Sequence, residues 1–158
     1  MEERKFELVT SKSEEALKEF YNVLFKKSII SKYLMAIDTE VCIKEVVDKI
    51  LEKDCETFCK LQKALKRLDV EVKTPAIEFD EDLKLKDFID NCEETIDSLN
   101  DTLDVLYEEK DWTAAVIISD LAKKLYDQYH VAKKLYKILS SDSDNTVKRF
   151  AVKELAEC

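Results

Sequence analysis

The residues best equipped for chemistry in this 158-residue chain fall in two short runs. His130 is the only imidazole, and Asp127 precedes it by three residues, one turn away on a helix. Cys55 and Cys59 are four apart, again one helical turn, and Glu56 lies between them. Thiolates, imidazole and carboxylate are zinc ligands. If the outer faces of two helices met in an oligomer, Cys55, Cys59, Asp127 and His130 would supply a four-ligand set. Without such a meeting, a free cysteine serves as a small apolar filler. No Ser, Cys or acid at a fixed spacing joins His130 into a nucleophilic triad. The chain has no glycine, so no glycine-rich loop exists to cradle phosphate.

The elements that must position these residues are helices. Gly is absent and Pro75 is the only proline, whereas sheets and tight hairpins draw on Gly at positive φ. Apolar residues make up 46% of the chain, enough for a packed core in one domain spanning 1–158. Apolar periodicity predicts a first helix over 13–37, carrying Leu17, Phe20, Tyr21, Leu24 and Met35 on one face. Ser11-Lys-Ser-Glu14 reads as its capping box. Asp38-Thr39 breaks the pattern, and a second helix over 40–68 carries Ile43, Val46, Val47, Ile50, Leu61, Leu65 and Leu68.

Residues 69–82 hold Pro75 and lose the helical period. About 13 extended residues reach ~40 Å, the length of a ~26-residue helix, so this connection can cross a whole bundle. A third helix over 83–109 presents Leu85, Phe88, Ile89, Cys92, Ile96, Leu99, Leu103 and Leu106. A fourth over 111–139, capped by Asp111, presents Ala114, Ile117, Leu121, Leu125, Ala132, Leu135 and Leu139. A turn at Lys110–Asp111 would make the two a hairpin. Leu106, Lys110, Ala114, Ile117 and Leu121 stay in phase, so one helix of ~55 residues is the alternative; such lengths are rare in globular chains. A short fifth helix over 144–157 presents Val147, Phe150, Ala151 and Leu155.

The expected fold is therefore all-α: a four-helix bundle with a long crossover between the second and third helices and a short fifth C-terminal helix. This topology resembles the ferritin-like four-helix bundle. Members of the di-iron kind take a Glu from each of two helices and a Glu-x-x-His from each of the other two. The resemblance therefore points to Asp127-Gln-Tyr-His130, with Asp in place of Glu, to Glu94 level with it, and to Glu56-Thr-Phe-Cys59, with Cys in place of His.

Helix phase tests that set. Bundle ligands must point along the apolar stripe. With Leu121 at zero and about 100° per residue, Asp127 falls near 240° and His130 near 180°, while Gln128 stays within about 40°. Glu94 lies near 200° from Cys92, and Glu56 and Cys59 also fall on the outer face. The inward polar residues are Ser28 and Ser31, Asp54 and Thr57, Thr95, and Gln128. One carboxylate without an imidazole is a hydrogen-bonded layer rather than a di-iron centre.

The net charge of −9 disfavours nucleic acid, although Lys123-Lys124 and Lys133-Lys134 form a basic run. No stretch is long enough to span a membrane, the N-terminus is too charged for a secretory signal, and the five cysteines include no CxxC pair. These features fit the cytoplasm. Tyr126, Tyr129 and Tyr136 are candidate interface residues, and Trp112 a lid on the bundle end. The reading is a non-catalytic interaction or assembly protein, homo-oligomeric or with a protein partner, on a ferritin-like topology without a complete metal centre. The alternative is a metalloprotein binding iron or zinc through Glu94, Asp127 and His130, with Glu56 or with Cys55 and Cys59.

Overall fold

The computed structural model describes residues 9–36, 41–76 and 85–157. Five α-helices account for most of them: α1 Ser11–Ala36, α2 Val41–Arg67, α3 Leu85–Glu108, α4 Trp112–Ser140 and α5 Asn145–Glu157. The boundaries lie within two residues of those expected from periodicity. The expected break at Asp38-Thr39 and the side chain of Met35 fall outside the described residues.

The first four helices form a ring. α1 packs on α2 and α3, α4 packs on the same two, and α5 lies against α2 and α4. The direction of each helix follows from what it buries at each end. One apolar cluster joins Leu17–Leu24 of α1, Leu61 and Leu65 of α2 with Leu68 just beyond it, Ile96–Leu106 of α3 and Ala114–Leu125 of α4. The other joins Ile30 and Leu34, Val46–Ile50, Phe88–Cys92, Ala132 and Leu135, and closes under Val152 and Ala156 of α5. Neighbours in the ring are therefore antiparallel, while the diagonal pair α2 and α3 runs parallel. The chain leaves α2 at one end of the bundle and enters α3 at the other, so the connection between these two helices joins opposite ends. Val70 and Val72 begin it by packing on the first cluster.

Two turns show how a chain without glycine ends its helices. Asp69 and Lys110 adopt φ of 57° and 60°. Each closes a Schellman motif: Val70 N–H donates to Leu65 O and Asp69 N–H to Lys66 O; Asp111 N–H donates to Leu106 O and Lys110 N–H to Tyr107 O. The left-handed residue at 110 stops α3 where the apolar phase would have let it continue, so α3 and α4 are a hairpin and not one long helix.

Both expected caps are built differently. The capping hydroxyl of α1 belongs to Thr10, whose Oγ1 accepts from Ser13 N–H at 3.3 Å, while Glu14 pairs with Lys18 one turn on. Asp111 precedes α4 but makes no side-chain cap bond. Its carboxylate instead accepts from Thr10 N–H and Ser13 Oγ, while Thr10 Oγ1 donates to Glu109 Oε1 at 2.8 Å, tying the start of α1 to the α3–α4 turn. Trp112 lies beside this junction with its ring 6.1 Å from that of Tyr107, but it is 58% exposed and covers little of the bundle end.

Candidate functional site

Between the two apolar clusters lies a polar layer. Lys27 of α1 is almost wholly buried, with its Nζ 2.5 Å from Asp54 Oδ1 and 3.2 Å from Gln128 Oε1. Ser31, one turn along α1, donates to Lys27 O and lies 3.5 Å from Asp54 Oδ2. Three helices thus meet at one ammonium group. Burial pushes the Asp54 carboxyl above its ordinary range, against the pull of the Lys27 charge and the hydrogen bonds from Lys27 and Ser31.

Asp54, Thr57, Ser31, Thr95 and Gln128 are buried as helix phase requires, but only Asp54, Ser31 and Gln128 join the layer. Thr57 and Thr95 turn their hydroxyls back to the carbonyls of Lys53 and Asn91. Ser28 is half-buried, and the serine of the layer is Ser31. Lys27 and Asn91 escaped the sequence reading. Lys27 lies four residues before Ser31 on the same helix side, a usable signal, but an ammonium is presumed to face water until a buried partner is known. Asn91 is buried with neither side-chain amide atom hydrogen-bonded, and Gln128 Nε2 is likewise unpaired.

The residues with ligand chemistry occupy the outside. Glu94, Asp127, His130, Cys55 and Cys59 are all exposed. Glu94 lies 3.7 Å from Lys26, His130 stacks on Tyr129, and Asp127 lines a small cleft of about 80 Å³ with Lys53 and Gln128. Glu56 pairs with Lys124 across α2 and α4. Within one chain, the described residues bring no three His, Cys, Asp or Glu side chains together in a group able to hold a metal ion. The outward phase of all five is as the stripe geometry requires.

Comparison of the chain with protein-family models and with curated proteins finds no match. Its chemistry must be read from its own geometry.

The cysteines divide by environment. Cys55 and Cys59 are exposed free thiols, whereas Cys92 is buried in the second cluster. Burial pushes the Cys92 thiol up to about 11, the Lys27 charge opposing and Asp54 reinforcing it. Only a thiolate is an effective nucleophile. Iodoacetamide at pH 8 is therefore expected to modify Cys55 and Cys59 in the folded protein at least ~100-fold faster than Cys92, with Cys92 reacting only after denaturation. Peptide mass mapping reads this directly, and rapid native labelling of Cys92 would show that its burial is wrong.

Proposed function

We propose that this chain is a non-catalytic helical-bundle assembly protein that associates with itself, on a ferritin-like topology without a complete metal centre. The observation that carries the reading is the apolar surface at the α3–α4 turn. Tyr107, Trp112 and Val116 are all large and exposed, and Trp112 and Val116 lie one turn apart on α4. Rigid aromatic side chains bury much area for little lost freedom, and Trp and Tyr are the residues most enriched where binding energy concentrates. The antiparallel hairpins and full-length crossover support the topological part of the reading. The outward placement of Glu94, Asp127 and His130 supports the part about the metal centre.

Tyr126 and Tyr136 are further exposed aromatics on α4, and Tyr126 Oη donates to Asn100 Oδ1 of α3. Tyr129 is half-buried under Lys133, whose Nζ sits 5.1 Å from the ring centre. It is therefore more a packing residue than a free contact.

The test is sedimentation velocity over a range from about 1 μM to 1 mM, with Trp112 emission read in parallel. Mass is expected to rise with concentration while the emission moves to shorter wavelength as the indole leaves water. A species that stays monomeric throughout, with unshifted emission, overturns self-association. Metal analysis of protein purified without added metal adds a second check: stoichiometric iron or zinc that is lost in His130→Ala would overturn the metal-free reading.

A further inference from the structure

Cys55 and Cys59 lie four residues apart within α2, which runs unbroken from Val41 to Arg67. Both are free and exposed, so two thiols stand one turn apart on one side of the helix, open to solvent. This side is not the one that meets α4. Asp127 of α4 shares its cleft with Lys53 of α2, which lies about 140° round the helix from the midpoint of the two cysteines. Nearer the pair, Phe58 packs on Tyr21 and Phe25 of α1. The thiols therefore belong to the outer surface of α2 on its α1 side, and Asp127 is not among their neighbours.

The spacing decides what two such thiols can hold. Side chains at i and i+4 keep their Cβ atoms about 5–6 Å apart. A disulfide needs about 3.5–4.5 Å between Cβ atoms, so closing one here would distort α2. A metal ion spans more. Two metal–sulfur bonds of about 2.3 Å in line put the sulfurs about 4.6 Å apart, which the pair reaches with the helix undisturbed.

The number of ligands decides which ion. Zinc takes four protein ligands in a structural site and three with a water in a catalytic one. No three His, Cys, Asp or Glu side chains group together among the described residues. Two thiolates suffice for a closed-shell monovalent ion such as Cu(I), which accepts linear coordination and prefers soft sulfur donors. Two S–H bonds break, two metal–sulfur bonds form, two protons leave to solvent, and no electron is transferred. The complex carries one negative charge. Lys63, exposed one turn beyond Cys59, offers it a counter-charge.

We infer that Cys55 and Cys59 form a two-coordinate site for a thiophilic monovalent metal ion. It lies outside the bundle and is independent of the self-association proposed above.

The experiment titrates the reduced full chain, without oxygen, against the Cu(I) complex of bicinchoninate, whose colour fades as the protein takes the ion. Wild type is compared with Cys55→Ser, Cys59→Ser and Cys59→Ser/Lys60→Cys, with circular dichroism confirming equal helix content. The last variant keeps the number of thiols but turns the second about 140° round the helix from Cys55. Wild type is expected to hold one Cu(I) per chain more than either serine variant, bound at least ~100-fold more tightly because the second bond forms within one molecule. The relocated thiol is expected to restore none of this. Equal uptake by wild type and the serine variants overturns the site. Full recovery in Cys59→Ser/Lys60→Cys also overturns it, showing an adventitious ion only, held by thiol number. One Cu(I) per two chains, sedimenting at dimer mass, overturns coordination within one chain.

Discussion

Lys27→Met is expected to lower the stability of the folded chain by about 3–5 kcal/mol, because it leaves the Asp54 carboxylate buried and unpaired. Asp54→Leu should cost a similar amount by stranding the Lys27 ammonium in the same layer. These losses are a substantial share of a typical domain stability of about 5–15 kcal/mol, so both variants should show clearly lowered denaturant midpoints. The paired replacement Lys27→Met/Asp54→Leu is the informative one. With both charges gone, no ion is desolvated on folding, and stability should return to the wild-type value or rise above it by about 1–4 kcal/mol. Gln128 Oε1 loses its donor in that variant, which holds the gain toward the lower end. Single variants within 1 kcal/mol of wild type would mean that water reaches the pair.

The same layer carries a pH signature. Burial raises the Asp54 carboxyl in the folded state, so between that raised value and the ordinary carboxylate range the folded chain binds a proton that the unfolded chain does not. The contribution of Asp54 to stability is therefore fullest below the unfolded value and is lost as pH rises through the folded one. Cys92 has the same sign at the alkaline end, where stability is lost as pH climbs from the ordinary thiol range through about 11. In Lys27→Met/Asp54→Leu the acidic-side component should disappear, which equilibrium unfolding at several pH values measures.

Phe88→Ala is expected to cost about 3–5 kcal/mol, the transfer term plus the cavity left behind. Phe88 is fully buried in the second cluster near the start of α3, where the crossover delivers the chain. Trp112 stands at the opposite end of the bundle, beside the first cluster. If the two clusters fold as one unit across the polar layer, Trp112 emission and far-UV circular dichroism must report the same lowered midpoint in this variant. Two separated transitions would show that the Lys27 layer divides the bundle into independently melting halves.

Much of this protein is legible in its residues. Helix phase alone places Leu17, Leu61, Leu99 and Leu121 inside and Glu94, Asp127, His130, Cys55 and Cys59 outside, since an apolar stripe fixes a face whatever its partner. The missing glycine and the long Pro75 connection indicate helices and a full-length crossover. Other features depend on which helices meet. The spacing of Lys27 to Ser31 marks a shared helix side but does not by itself bury an ammonium; burial follows from Asp54 and Gln128 arriving on two other helices. Asp111 looks like the cap of α4, but its carboxylate is claimed by Thr10 and Ser13, some hundred residues earlier. The acidity of α3 is written in the chain, but its position diagonal to basic α2 is decided by the order of helices around the ring. Sequence thus determined which face of each helix is dry. Tertiary structure decided which charges face each other, because electrostatic partners are set by distance in space and not by spacing along the chain.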